Sequence, residues 1–242
     1  MTVPKCVSCF DKLSFEDCAL CPKCLAEYYE TKAQSFCSVC LKPLYECSCT
    51  NDYLDSHFVH KVIKVLRYKA SVEGVRVPAY ELVYNLKRGN RRDIVKFLSE
   101  EIAESIRNSL KLENKKYIIT NVPRQRSRRI KYGVDHSKEL AKAVGKILDF
   151  EYLPILKSKS PKAQKKTHGE ERITNAKFDY KNEYDLKGEN VIILDDIITT
   201  GASVGTCATL LKGLGARSII AVSFAVAYKD NYTPFLTEDR FS

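Results

Sequence analysis

No run of apolar residues in this 242-residue chain approaches the ~20 that a bilayer-spanning helix needs. The start of the chain, where Cys6 and Cys9 follow close behind Met1, also lacks the apolar core of a secretory signal, so the expected location is the cytosol. Cysteine all but vanishes after residue 49, where Cys207 alone remains and reads as a small buried apolar residue. Positive charge is scarce near the start. Residues 1–60 hold 5 Lys, no Arg and 8 Asp plus Glu, a net −3, against +10 for the whole chain, which leaves +13 on the remainder. That remainder suits polyanionic ligands, although a solvated lysine-rich surface accounts for much of such a charge without any ligand. At 44% hydrophobic residues the chain can bury a real core, and its length fits one domain plus a small appendage.

Nine of the ten cysteines lie between Cys6 and Cys49, in a segment too short and polar to build a core alone. Their spacings are Cys6-x-x-Cys9, Cys21-x-x-Cys24, Cys37-x-x-Cys40 and Cys47-x-Cys49, with Cys18 left over. In a reducing compartment, paired Cys-x-x-Cys knuckles place two thiolates on one small ion and read as tetrahedral Zn²⁺ sites rather than disulfides. The first site takes Cys6, Cys9, Cys21 and Cys24, and the second takes Cys37, Cys40, Cys47 and Cys49. Cys18-x-x-Cys21 is also a valid pair, but the run Leu20-Cys21-Pro22-Lys23-Cys24 favours the later one. The second site is open to substitution by His57 or His60, because Cys47-x-Cys49 is tighter than an ordinary knuckle. Four protein ligands leave no open position for activating water, so both metals would be structural. The expected organisation is a cysteine-rich zinc-binding domain over residues 1–57 and a second domain over 58–242.

In the second domain, residues 59–69 and 78–86 carry alternating or helix-spaced apolar residues and suggest a strand pair and a helix, followed by the basic turn Lys87-Arg88-Gly89-Asn90. Asp93 is placed to cap a helix reaching about Leu110, with Ile94, Phe97, Leu98, Ile102 and Ile106 on one face. Residues 117–122 read as the first central strand, and Pro123 ends it. A dense cationic loop, Arg124-Gln125-Arg126-Ser127-Arg128-Arg129-Ile130-Lys131, follows, suited to an anionic leaving group or simply a basic surface. Residues 135–148 then form a helix with Leu140, Val144, Ile147 and Leu148 toward the sheet, and the polar stretch 157–172 reads as a mobile lid or an exposed linker.

The densest signal is Val191-Ile192-Ile193-Leu194-Asp195-Asp196-Ile197-Ile198-Thr199-Thr200-Gly201-Ala202-Ser203. Its uninterrupted apolar run reads as a strand buried on both faces of a parallel sheet, at whose carboxyl end ligands bind. There Asp195 and Asp196 can accept from two neighbouring sugar hydroxyls, while Thr199, Thr200, Gly201, Ala202 and Ser203 offer backbone N–H groups, hydroxyls and a helix N-terminus to a phosphate. A helix over residues 203–211 broken by Gly213 and Gly215, then a strand over 218–227, completes a β-α-β order with parallel strands.

This motif resembles the PRPP-binding motif of type I phosphoribosyltransferases. The resemblance implies a parallel α/β sheet with helices on both faces. It also implies that Asp195 and Asp196 hold the ribose 2- and 3-hydroxyls and residues 199–203 the 5-phosphate. Arg124 and Arg128 would lie in the pyrophosphate loop, with Mg²⁺ bridging pyrophosphate and ribose oxygens. A zinc-knuckle head joined to such a domain resembles the ComF competence family along nearly the whole chain. That family's usual Arg-Gly-Phe-Asn-Gln stands here as Tyr132-Gly133-Val134-Asp135-His136, which leaves the roles of Asp135 and His136 open. Gln164, Arg172 and Asn175 fall where the family has its lid motif.

Two roles follow from the ComF resemblance. One is DNA uptake in natural competence, with binding of single-stranded DNA beside a competence helicase. The other is an active amidophosphoribosyltransferase using Mg-PRPP. No glutamine-amidohydrolase segment or evident base-recognition hood is legible, which tells against the second, and Tyr132 is the one candidate stacker in the basic loop, which makes DNA affinity mostly electrostatic.

Overall fold

The computed structural model describes residues 4–14, 18–68, 76–89, 91–110, 112, 115–124, 134–159 and 178–227. The loop 125–133, with Arg128 and Tyr132, and the segment 160–177, with Gln164, Arg172 and Asn175, lie outside the described residues.

Apolar runs flanked by turn residues become the strands β1 (Val59–Arg67), β2 (Tyr117–Asn121), β3 (Glu151–Tyr152), β4 (Leu156–Ser158), β5 (Phe178–Tyr180), β6 (Asn190–Ile198) and β7 (Ser218–Val226). Five of them form one sheet in the order β1-β7-β6-β2-β3. Every pairing in it is parallel, while β4 and β5 make a separate antiparallel pair. The stretch expected to give a strand pair forms the single strand β1 at the sheet edge, β2 lies inside the sheet between β6 and β3 as a central strand should, and β6 is at its middle. The reason is burial. Val191 and Ile193 pack into one hydrophobic cluster and Ile192 and Leu194 into another on the opposite face, so an apolar residue is needed at every position of β6.

Helices cover both faces, and they are α1 (Pro22–Ala33), α2 (Asp52–Ser56), α3 (Pro78–Arg88), α4 (Arg92–Ser109), α5 (His136–Leu148) and α6 (Ala202–Gly213). Residues of α3, α4 and α5 fill one cluster through Leu82, Leu86, Ile94, Leu98, Ile102 and Leu140. Residues of α6 fill the other through Val204, Cys207, Ala208 and Leu211, joined by Leu54 of α2. Asp93 does not cap α4. Arg91 holds that position, and Asp93 in the first turn accepts from the Arg91 guanidinium at 3.1 Å. Ile147 is exposed, because Ala141 and Gly145 take the sheet-facing positions beside Leu140 and Val144. Gly145 is tight there: a Cβ would lie 2.9 Å from the Phe150 carbonyl oxygen.

A buried polar knot fastens the cysteine-rich segment to α4. Tyr28 and Lys32 of α1 both donate to Glu101 of α4 at 2.7 Å, and Lys32 also pairs with Glu104 at 3.3 Å. Tyr28 is fully buried and packs edge-on against Phe97, so α4 holds the head through Phe97 and Glu101 while Ile94, Leu98, Ile102 and Ile106 pack in the core as their spacing implies.

Candidate functional site

The structure brings the eight expected cysteines into two quartets, Cys6, Cys9, Cys21 and Cys24, and Cys37, Cys40, Cys47 and Cys49, with the sulfurs of each within 4.8 Å of one another. Two of the separations are 3.6 Å (Cys9 to Cys21) and 3.5 Å (Cys40 to Cys47). A tetrahedron of sulfurs at Zn–S ≈ 2.3 Å has edges of about 3.8 Å, whereas a disulfide would need about 2 Å, so the donor set fits Zn²⁺. Backbone N–H groups of Val39 and Cys49 donate to the Cys37 and Cys47 sulfurs at 3.4 and 3.3 Å, as thiolate ligands require.

The charges agree with a cation at each centre. Burial raises Cys6 and Cys37, but surrounding backbone N–H groups outweigh it and bring each down to about 7. Burial and the neighbouring thiols push Cys24 up to about 11 and Cys49 up to about 12. Four such thiols ionise together only around a positive ion. Cys18 is exposed and outside both quartets, His57 stacks on Tyr53, and His60 pairs with Asp55 at 2.6 Å.

At the carboxyl end of β6 opens a cavity of about 910 Å³ lined by Asp195, Asp196, Thr199, Thr200, Gly201, Ala202, Ser203 and Arg124 among others. The strand continues through the acidic pair to Ile198, and its loop delivers the chain to Gly201, which caps α6 at φ +82°. Only glycine takes that backbone conformation without strain, and only glycine leaves room, since a Cβ would sit 2.8 Å from Leu54 Cγ. The Gly201 carbonyl accepts the first helical bond, from Gly205 at 2.8 Å, and Thr200 Oγ1 accepts from the Ala202 N–H at 3.3 Å. Asp195 accepts from Ser137 Oγ at 2.8 Å, and Asp196 faces Lys87 Nζ at 3.9 Å. Burial, then the charge of Asp196, holds the Asp195 carboxyl well above the usual carboxylate range. The arrangement offers acceptors for hydroxyls on one side and cations, hydroxyls and a helix N-terminus for anions on the other.

Arg124 is tied down at the mouth, its N–H donating to Asp135 at 3.2 Å and its guanidinium to the Val134 carbonyl at 3.4 Å. The cavity also takes in Lys87, Arg88, His136 and Ser137, to which the residue pattern assigned no chemistry. The basic turn after α3 was the visible signal for the first two. Nothing local marks Ser137, which reaches the site only because α5 packs beside β6.

Residues 133–235 match the phosphoribosyl transferase domain family. The competence protein ComFC of Streptococcus pneumoniae is 28% identical over 130 residues, 53% of this chain and 53% of its own length. Ribose-phosphate pyrophosphokinase 2 of Archaeoglobus fulgidus is 43% identical over 47 residues, 19% of this chain and 17% of that enzyme. The chain thus spans about half the length of the first of these relatives and less than a fifth of the second. Among solved structures, adenine phosphoribosyltransferase of Saccharomyces cerevisiae aligns over 72% of this chain and 88% of its own with 17% identity and a TM-score of 0.39. The fold is that of a type I phosphoribosyltransferase, a parallel sheet with helices on both faces, preceded by an N-terminal segment whose cysteine quartets can hold zinc. With its cysteine quartets and this domain together, the chain is similar to the ComF proteins.

Proposed function

We propose that the 910 Å³ cavity binds Mg-PRPP and that the protein works in DNA uptake by binding single-stranded DNA. One observation carries the first half: two carboxylates at the end of the central strand face a glycine-opened helix N-terminus and a cationic mouth across one cavity. Asp195 and Asp196 take the ribose 2- and 3-hydroxyls. Residues 199–203 take the 5-phosphate, and Arg124, with Arg128 of the adjoining loop, takes the pyrophosphate. Mg²⁺ enters with PRPP, where it neutralises the pyrophosphate charge. The two zinc ions are structural, residues 1–57 form the zinc-binding unit and 58–242 the PRPP-binding one, and the expected location is the cytoplasm.

The competence name of the S. pneumoniae relative supports the DNA role, with a competence helicase as the natural companion. So does a second cavity of about 790 Å³ at the amino-terminal ends of the strands, opposite the first, flanked by Lys61, Lys115, Lys116, Lys212 and Arg217, with Glu189 the one acidic residue among the described residues that line it. The test is fluorescence anisotropy of a labelled single-stranded oligonucleotide across a salt series, with and without Mg-PRPP. Binding that falls steeply with salt supports the proposal, and absence of binding at low salt removes it. The second reading, a working phosphoribosyltransferase, is favoured by one residue in the cavity, His136.

A further inference from the structure

His136 opens α5, forms part of the cavity wall and is 2% exposed. Among the described residues its Nε2 has no hydrogen-bond partner, an unusual state for a buried nitrogen. The Lys87 backbone carbonyl accepts from the ring, so the proton of the neutral imidazole sits on Nδ1 and Nε2 is left as a bare lone pair. The charged and titratable groups around it come from every neighbouring element: Lys87 and Arg88 of α3, Arg124 after β2, Asp135 at the cap of α5, and Asp195 and Asp196 of β6. Burial first, then Arg124, keep the ring neutral against the opposing pull of Asp196 and Asp135.

An unprotonated acceptor needs a donor. This inference rests on the PRPP reading above, and PRPP has only two hydroxyl protons to give, both taken by the acidic pair. Its phosphates accept only. The vacant lone pair therefore calls for a second ligand that carries an N–H or O–H. We propose that His136 is a catalytic residue whose Nε2 receives the proton of an incoming amine or hydroxyl nucleophile. In the step, the nucleophile's lone pair forms the bond to ribose C1. The C1–O bond breaks, its electron pair leaves with pyrophosphate toward Arg124, and the nucleophile's proton passes to Nε2.

The test measures pyrophosphate release from Mg-PRPP with two probes, ammonia supplied as ammonium chloride at alkaline pH and adenine. It compares wild type with His136→Leu and His136→Gln, alongside calorimetric binding of Mg-PRPP. Release by wild type, slowed about 10²–10⁴-fold in His136→Leu with PRPP affinity retained, is the expected result. The wild-type rate should also fall as the ring protonates on acidification, and His136→Gln, which folds around a neutral amide, should lack that limb. Wild type that binds PRPP yet releases no pyrophosphate with either probe overturns the proposal, and so does a His136→Gln pH profile identical to wild type. Failure of wild type to bind Mg-PRPP at all sinks the PRPP reading itself, a distinguishable outcome.

Discussion

Replacing Gly201 by alanine tests whether the phosphate-type loop is held by backbone conformation and by the head together. At φ +82° an alanine pays roughly 1–2 kcal/mol for the left-handed backbone. Its Cβ would also lie 2.8, 3.0 and 3.1 Å from three carbons of Leu54. Leu54 is 1% exposed and shares a cluster with Leu44, Cys37 and Cys47, so it has little room to retreat. Overpacking of that kind costs about 1–3 kcal/mol, for a total near 2–5 kcal/mol. That is a large share of the ~5–15 kcal/mol that holds a domain together, and at a urea slope of ~1–3 kcal/mol/M it moves the unfolding midpoint by about 1 M or more. Leu54→Ala alone should lose about 2–5 kcal/mol through the void it leaves. In the double variant the new Cβ enters that void, so the combined loss should fall short of the sum by more than about 0.5 kcal/mol. Additive losses, or a Gly201→Ala variant as stable as wild type, would refute the argument.

Asp195→Asn should weaken Mg-PRPP binding in calorimetry yet raise the melting temperature at neutral pH. The unfolded carboxyl ionises near 3.9, the folded one at higher pH, so the native state binds the extra proton between those values and loses stability as pH rises through that window. The gain should shrink on acidification below about 4, and a variant no more stable than wild type at pH 7 would contradict the burial argument. Glu101→Ala leaves Lys32 charged and buried and should cost about 3–5 kcal/mol in chemical denaturation, while Glu101→Leu combined with Lys32→Met should recover most of it. Metal analysis of the purified protein should find about two zinc per chain and no disulfides, and Cys37→Ser should remove one of them; a metal-free, well-folded protein would remove the zinc assignment.

The cysteine pairs, the buried central strand and the acidic-then-hydroxyl loop are legible in the sequence, since each is a local pattern, but only the fold closed the second quartet with four cysteines and set His57 and His60 apart from it. Thiolate spacing, an unbroken apolar run and a glycine at a helix start carry their chemistry within a dozen residues. The sequence by itself did not determine what faces what. Lys87 reaches Asp196, Ser137 reaches Asp195, and the lone pair of His136 is left bare by a carbonyl 49 positions earlier, all contacts across elements that no local pattern encodes. The fastening of the head through Glu101 was hidden for the same reason: in α4 it reads as one more charge on a solvent face until Tyr28 and Lys32 are packed over it. Leu54 against Gly201 joins the cysteine-rich head to the phosphate-type loop, and only tertiary packing, which depends on volume and direction rather than spacing, could place them together.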